Sequence, residues 1–96
     1  MGKDHINYLL LYKEPISACI LEYATDNFTK NNAQKLIELN EDKHKMELLI
    51  VIKELIEWYK NNIDVIKNDR FVSKKEDHIR SYDMLQCIKT QLSVQV

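Results

Sequence analysis

Glycine is almost missing from this 96-residue chain, with Gly2 the only one. Phosphate-cradling loops, dinucleotide-binding fingerprints and nucleophile elbows all need glycine, because a Cβ would block the close backbone approach or the sharp turn on which each depends. Those three chemistries are excluded. Eight asparagines (Asn7, Asn27, Asn31, Asn32, Asn40, Asn61, Asn62, Asn68) fall largely where helical periodicity breaks. Asn is the next residue able to make left-handed caps and Asx-turns, so these positions mark the punctuation of the fold.

Cysteine is scarce too. Cys19 and Cys87 are too few for a disulfide framework. The first residues show no charged segment leading into an apolar one and a small-residue cleavage site, and Ile6 stands where a myristoylation signal wants Ser or Thr. A reducing, cytoplasmic compartment is the expectation. Long apolar runs are missing as well: the longest, Leu48 to Ile52, ends at Lys53, far short of the roughly 20 residues that span a bilayer. No membrane partner is expected.

Charge of one sign is the last absence. Fourteen basic and fifteen acidic side chains leave a formal net charge of −1, so no global field holds a polyanion. What is present, 45% hydrophobic and 30% charged residues, is the composition of a folded globular protein. A chain of this size hides only about 60–65% of its unfolded surface, too little for a large enclosed active site. Residues 1–96 read as a single helical domain without internal repeats.

The periodicity predicts an all-α fold, a small bundle of three to four helices with the 41–67 helix central. Residues 4–13 fit a short helix or a buried strand, with helix preferred. Behind Pro15, the residues Ile16, Cys19, Ile20, Tyr23 and Ala24 share one face of a helix ending near Asp26 and Asn27. A second short helix is expected to start from Thr29 as its N-cap, with Phe28 before it as the stapling hydrophobic residue and Ala33, Leu36 and Ile37 facing inward. A break at Asn40 is expected, with one continuous helix as the alternative.

Over 41–67 the apolar residues cover an arc of roughly 180°, wider than the ~100° that one neighbouring helix requires. The extra width must lie against two neighbouring helices or against another molecule. Leu48, Ile52, Leu55 and Tyr59 occupy its centre, and Val51 and Trp58 its margin beside Glu47 and Glu54. Ser73-Lys74-Lys75-Glu76 has the form of a capping box and predicts a fourth helix to about residue 93.

No catalytic, cofactor-binding or metal-ligating set stands out. His5, His44, His78, Cys19 and Cys87 lack ligand spacing, and Asp42 and His44, two apart, diverge on a helix. His78, about 13 Å along the same helix from Cys87, is too distant to activate it. On its apolar stripe His78 reads as a hydrogen-bonded, half-buried residue, and Cys19 as core. Glu54, Glu57, Glu76 and Asp77 lie among Lys and Asn, as on a solvated helix face.

The expectation is therefore a non-enzyme acting by stoichiometric protein binding: a self-associating subunit such as a homodimer, or an adaptor or inhibitor of a larger protein. Trp58, Val51, Glu54 and Tyr59 are its candidate contact residues, because aromatic side chains at the edge of an apolar surface make good interface anchors. Trp58 serves equally well as the rim of the protein's own core. The second reading is a nucleic-acid-binding regulator using the cationic 67–80 region, where Lys67, Arg70, Lys74, Lys75 and Arg80 gather near a helix N-terminus. Interleaved Asp69, Glu76 and Asp77 disfavour it.

Overall fold

The computed structural model describes residues 10–94, and among these there are four helices and no strand. In chain order they are α1 (Lys13–Tyr23), α2 (Asn27–Glu38), α3 (Lys45–Asn68) and α4 (Lys75–Val94). The fold is the expected small all-α bundle. Most of the 4–13 stretch, and with it the choice between helix and strand, lies outside the described residues.

Each helix packs on two others, so that α1, α2, α3 and α4 close into a ring around one buried cluster. α3 supplies half of that cluster, including the fully buried Leu48, Ile52, Leu55 and Tyr59 that the sequence places at the centre of its stripe. The width of the stripe has a plain cause: α2 covers one flank of α3 and α4 the other. Breadth on this helix is therefore no sign of a partner, and a protein-binding reading has to rest on other residues.

The helix ends differ in detail from the sequence expectation. α1 carries Pro15 in its first turn, where the missing N–H costs nothing, and it stops at Tyr23. The α2 cap is Asp26 rather than Thr29: its carboxylate accepts the Thr29 N–H at 2.8 Å. A charged acceptor binds an orphan helix N–H better than a hydroxyl does, and these Thr29 bonds hold the Asp26 carboxyl below its usual range. Thr29 is buried, and Phe28, in the first turn of α2, is exposed instead of stapled.

The break at Asn40 is present. Its side-chain oxygen accepts the N–H groups of Asp42 and Lys43, at 2.7 and 3.3 Å. Those bonds form a turn, so α3 starts at Lys45 and not at Glu41. Between α3 and α4 the Asp69 carboxylate accepts the Phe71 N–H at 2.9 Å, and α4 begins within two residues of the Ser73 capping sequence. No described residue has positive φ. Asx-turns made by Asn40 and Asp69 do the work that glycine does elsewhere.

At the α1/α2 contact, Ser17 and Ala33 are small enough for the helices to approach closely, and the Ser17 hydroxyl donates to the Ala33 carbonyl at 2.6 Å. Lys13 adds a bond from its ammonium to the Leu39 carbonyl at the end of α2. Together they fix α2 against α1 and so determine which α2 face meets α3.

Candidate functional site

Two places combine polar chemistry with an unusual environment. The first is inside the bundle. Cys19 on α1, Tyr59 on α3 and His78 on α4 converge where the three helices meet. The Cys19 Sγ is 3.3 Å from His78 Nδ1, and the Tyr59 hydroxyl is 2.8 Å from the same nitrogen and 3.9 Å from the sulfur. Rings pack around the group, with Tyr23 and Tyr59 both edge-on to the His78 imidazole.

Burial dominates the electrostatics here. It raises the Cys19 thiol pKa, raises that of the Tyr59 phenol and lowers that of the His78 imidazole. Asp77 and Glu22 pull His78 the other way without overcoming its burial. All three groups are neutral near pH 7, so Cys19 is a thiol with no tendency to act as a nucleophile. A shallow cleft of about 190 Å³ reaches Cys19 and Ser81, with Lys74, Asp77 and Arg80 at its mouth. Among the described residues no three His, Cys, Asp or Glu side chains could together hold a metal ion.

Sequence reasoning compared His78 with Cys87, which is exposed, and missed its contact with Cys19. One signal was available: Cys19, Tyr59 and His78 are each a polar-tipped residue inside an apolar stripe, and such residues seek one another in a core.

A pH dependence follows from these shifts. As pH falls below about 6.5, the unfolded chain protonates His78 while the folded chain resists it, so stability falls. Above about pH 9 the unfolded chain loses the Cys19 proton that the folded chain keeps, and above about pH 10 the same holds for Tyr59, so stability falls again. Urea midpoints from pH 4 to 11 should show a plateau between these limbs, each group contributing a slope of at most about 1.4 kcal/mol per pH unit. In Cys19→Ala the alkaline limb should begin about one unit later; an unchanged onset would contradict the assignment.

The second place is on the surface, between α2 and α3. An open groove of about 280 Å³ runs there, with Phe28 and Ile50 on its lips. These side chains are 62% and 58% exposed. Val51 and Asn32 lie at its floor, 5% and 7% exposed. The Asn32 Nδ2 is the one buried side-chain nitrogen or oxygen among the described residues without a hydrogen-bond partner. Glu47 and Glu54 border the groove on α3, and Lys35 borders it on α2.

Two of the four contact residues expected from sequence, Val51 and Glu54, are found here. Glu54 is on a lip and Val51 on the floor, too deeply covered by α2 to be an exposed contact. Trp58, one turn beyond Glu54, is half-buried and lines the adjoining cleft with Tyr23, Asp26 and Asn62. Its indole meets Tyr23 and Tyr59 edge-on at 6.0 and 4.9 Å, so it closes the rim of the core. Tyr59 itself is completely buried and is withdrawn from the contact set: its ring lies on the opposite side of α3, toward α4. Phe28 and Asn32 were missed, because their role depends on which face of α2 meets α3.

The cationic residues do lie around the α3/α4 connection, but several are committed. Lys74 pairs with Glu22 at 2.8 Å and Arg80 with Asp77 at 3.2 Å. The Arg70 guanidinium stacks 5.3 Å over the Phe71 ring. Lys67 and Lys75 complete the set, and Glu76 and Asp77 fill the first turn of α4, opposing an anion at its N-terminus. No described helix is long and apolar enough to cross a membrane. The chain matches no family model, and no curated protein or solved structure is significantly similar to it.

Proposed function

We propose that this is a non-enzymatic cytoplasmic protein that binds another protein stoichiometrically, as an adaptor or inhibitor of a larger partner, through the groove between α2 and α3. One observation carries this reading: Phe28 and Ile50, both mostly exposed, flank a floor containing a buried amide nitrogen without a partner. Exposed apolar side chains lose water on association, and an unpaired buried donor gains by meeting an acceptor. The nucleic-acid reading is weaker, since the ion pairs of Lys74 and Arg80 occupy two of its five cations.

The test uses Phe28→Ser and Ile50→Asp, both at exposed positions, so their thermal melts should stay near that of the wild type. Each should lower affinity for a captured partner by roughly tenfold or more, the effect of removing an anchoring side chain. Capture from native lysate with nuclease, followed by mass spectrometry, should give a partner that both variants lose. If the variants retain every captured protein, the groove is not the binding surface.

A further inference from the structure

The chemistry of the groove also says what kind of segment it would take, an inference that rests on the preceding reading. Glu47 and Glu54 lie on one lip two helical turns, about 10 Å, apart. Neither is in an ion pair with a described residue. Lys35 is the single cation opposite among the described residues, so the groove is apolar in its middle and anionic along its α3 edge. Both walls are helices whose backbone groups are bonded internally. They offer no free ladder to an extended strand, and a segment lying between them has to satisfy its own backbone.

We propose that the groove accepts an amphipathic helix of a partner protein. Its apolar side chains at i, i+3 or i+4 and i+7 would lie between Phe28 and Ile50 over Val51. Lys or Arg at two flanking positions seven residues apart would face Glu47 and Glu54. Three turns of such a helix match the length of α2 from Phe28 to Leu39. Asn32 completes the match. Its amide nitrogen has no hydrogen-bond partner among the described residues, and a Gln, Asn or Ser of the incoming helix would supply an acceptor to it as the side chain turns toward the groove.

A second copy of the chain does not fit. Lys53, Lys60 and Lys67 on α3 have the seven-residue spacing, but the exposed Glu57 and Asp64 lie between them and would bring carboxylates against Glu47 and Glu54. No other described helix of this chain carries two cations seven apart.

The probes are two tryptophan-free synthetic helical peptides with the same apolar stripe, one with Lys at both flanking positions and one with Glu. Trp58, the only tryptophan, lines the neighbouring cleft and reports binding by fluorescence, while amide chemical shifts locate it. The Lys peptide should bind at the groove at least tenfold more tightly than the Glu peptide, more weakly as salt rises. In Glu47→Lys/Glu54→Lys the preference should invert. Equal binding of both peptides at the groove overturns the cationic partner and leaves the binding surface standing. Failure of both to bind, with a wild-type dimer that Ile50→Asp dissociates, makes a second copy the occupant and overturns the inference. Failure to bind with a monomeric wild type also overturns it, and the surface itself is then judged by the capture experiment.

Discussion

Leu55→Ala should lower the free energy of unfolding by about 2–5 kcal/mol, against a total of roughly 5–15 kcal/mol for a domain of this kind. Leu55 is completely buried on α3, in the cluster that all four helices share. Truncation removes apolar contacts and leaves a hole that rigid helices on both flanks cannot collapse to fill. Trp58→Ala is the informative comparison. Were Trp58 only a partner contact, its loss would leave stability untouched. Its edge-on contacts with Tyr23 and Tyr59 make it part of the core rim, so a smaller loss of about 1–3 kcal/mol is expected. Urea melts of the two variants decide this: equal stability of Trp58→Ala and wild type would return the indole to the surface.

How far the sequence carries varies with the length scale of the feature. The helices were legible because each repeats its apolar residues every three to four positions, a property of one segment alone. Leu48, Ile52, Leu55 and Tyr59 follow from that rule, and all four are core. Boundaries were less legible because neighbouring side chains compete for the same orphan N–H groups. Asp26 and Thr29 could each cap α2, and the charge of Asp26 decided it. Asn40 was recognised as a break, but not as the cap of a turn that delays α3 to Lys45.

Features shared between helices were the least legible. The α3 side of the groove, Val51 and Glu54, follows from the stripe margin; Phe28 and Asn32 depend on how α2 is rotated against α3, which the Ser17–Ala33 contact and the Lys13–Leu39 bond help to fix. Cys19, Tyr59 and His78 meet only once three helices have taken their azimuths. Spacing along α4 led toward Cys87, whereas the partner of His78 is 59 residues away in sequence.

That cluster gives the other large effect. Tyr59→Phe removes the hydroxyl 2.8 Å from His78 Nδ1, and His78→Leu removes the imidazole and leaves the buried hydroxyl short of a partner. Each single change should cost about 1–3 kcal/mol, the penalty for stranding one member of a buried polar pair. The double variant should not cost the sum. With both groups apolar only the weakly polar Cys19 thiol loses these contacts, and such replacements are often neutral or stabilising, so a coupling of about 0.5–3 kcal/mol is expected from the cycle. His78→Leu should also flatten the acid limb of the stability profile, which simple loss of packing would leave in place. Urea melts of the four proteins at pH 5 and 7 measure both quantities, and strictly additive costs would mean that the Tyr59–His78 contact contributes nothing of its own. A double variant as stable as the wild type would show that burying these polar groups is not needed for stability. Their energetic role is then specificity: the Tyr59–His78 contact favours the one rotation of α3 and α4 that satisfies both groups, and with it the α3 face left to meet α2 at the groove.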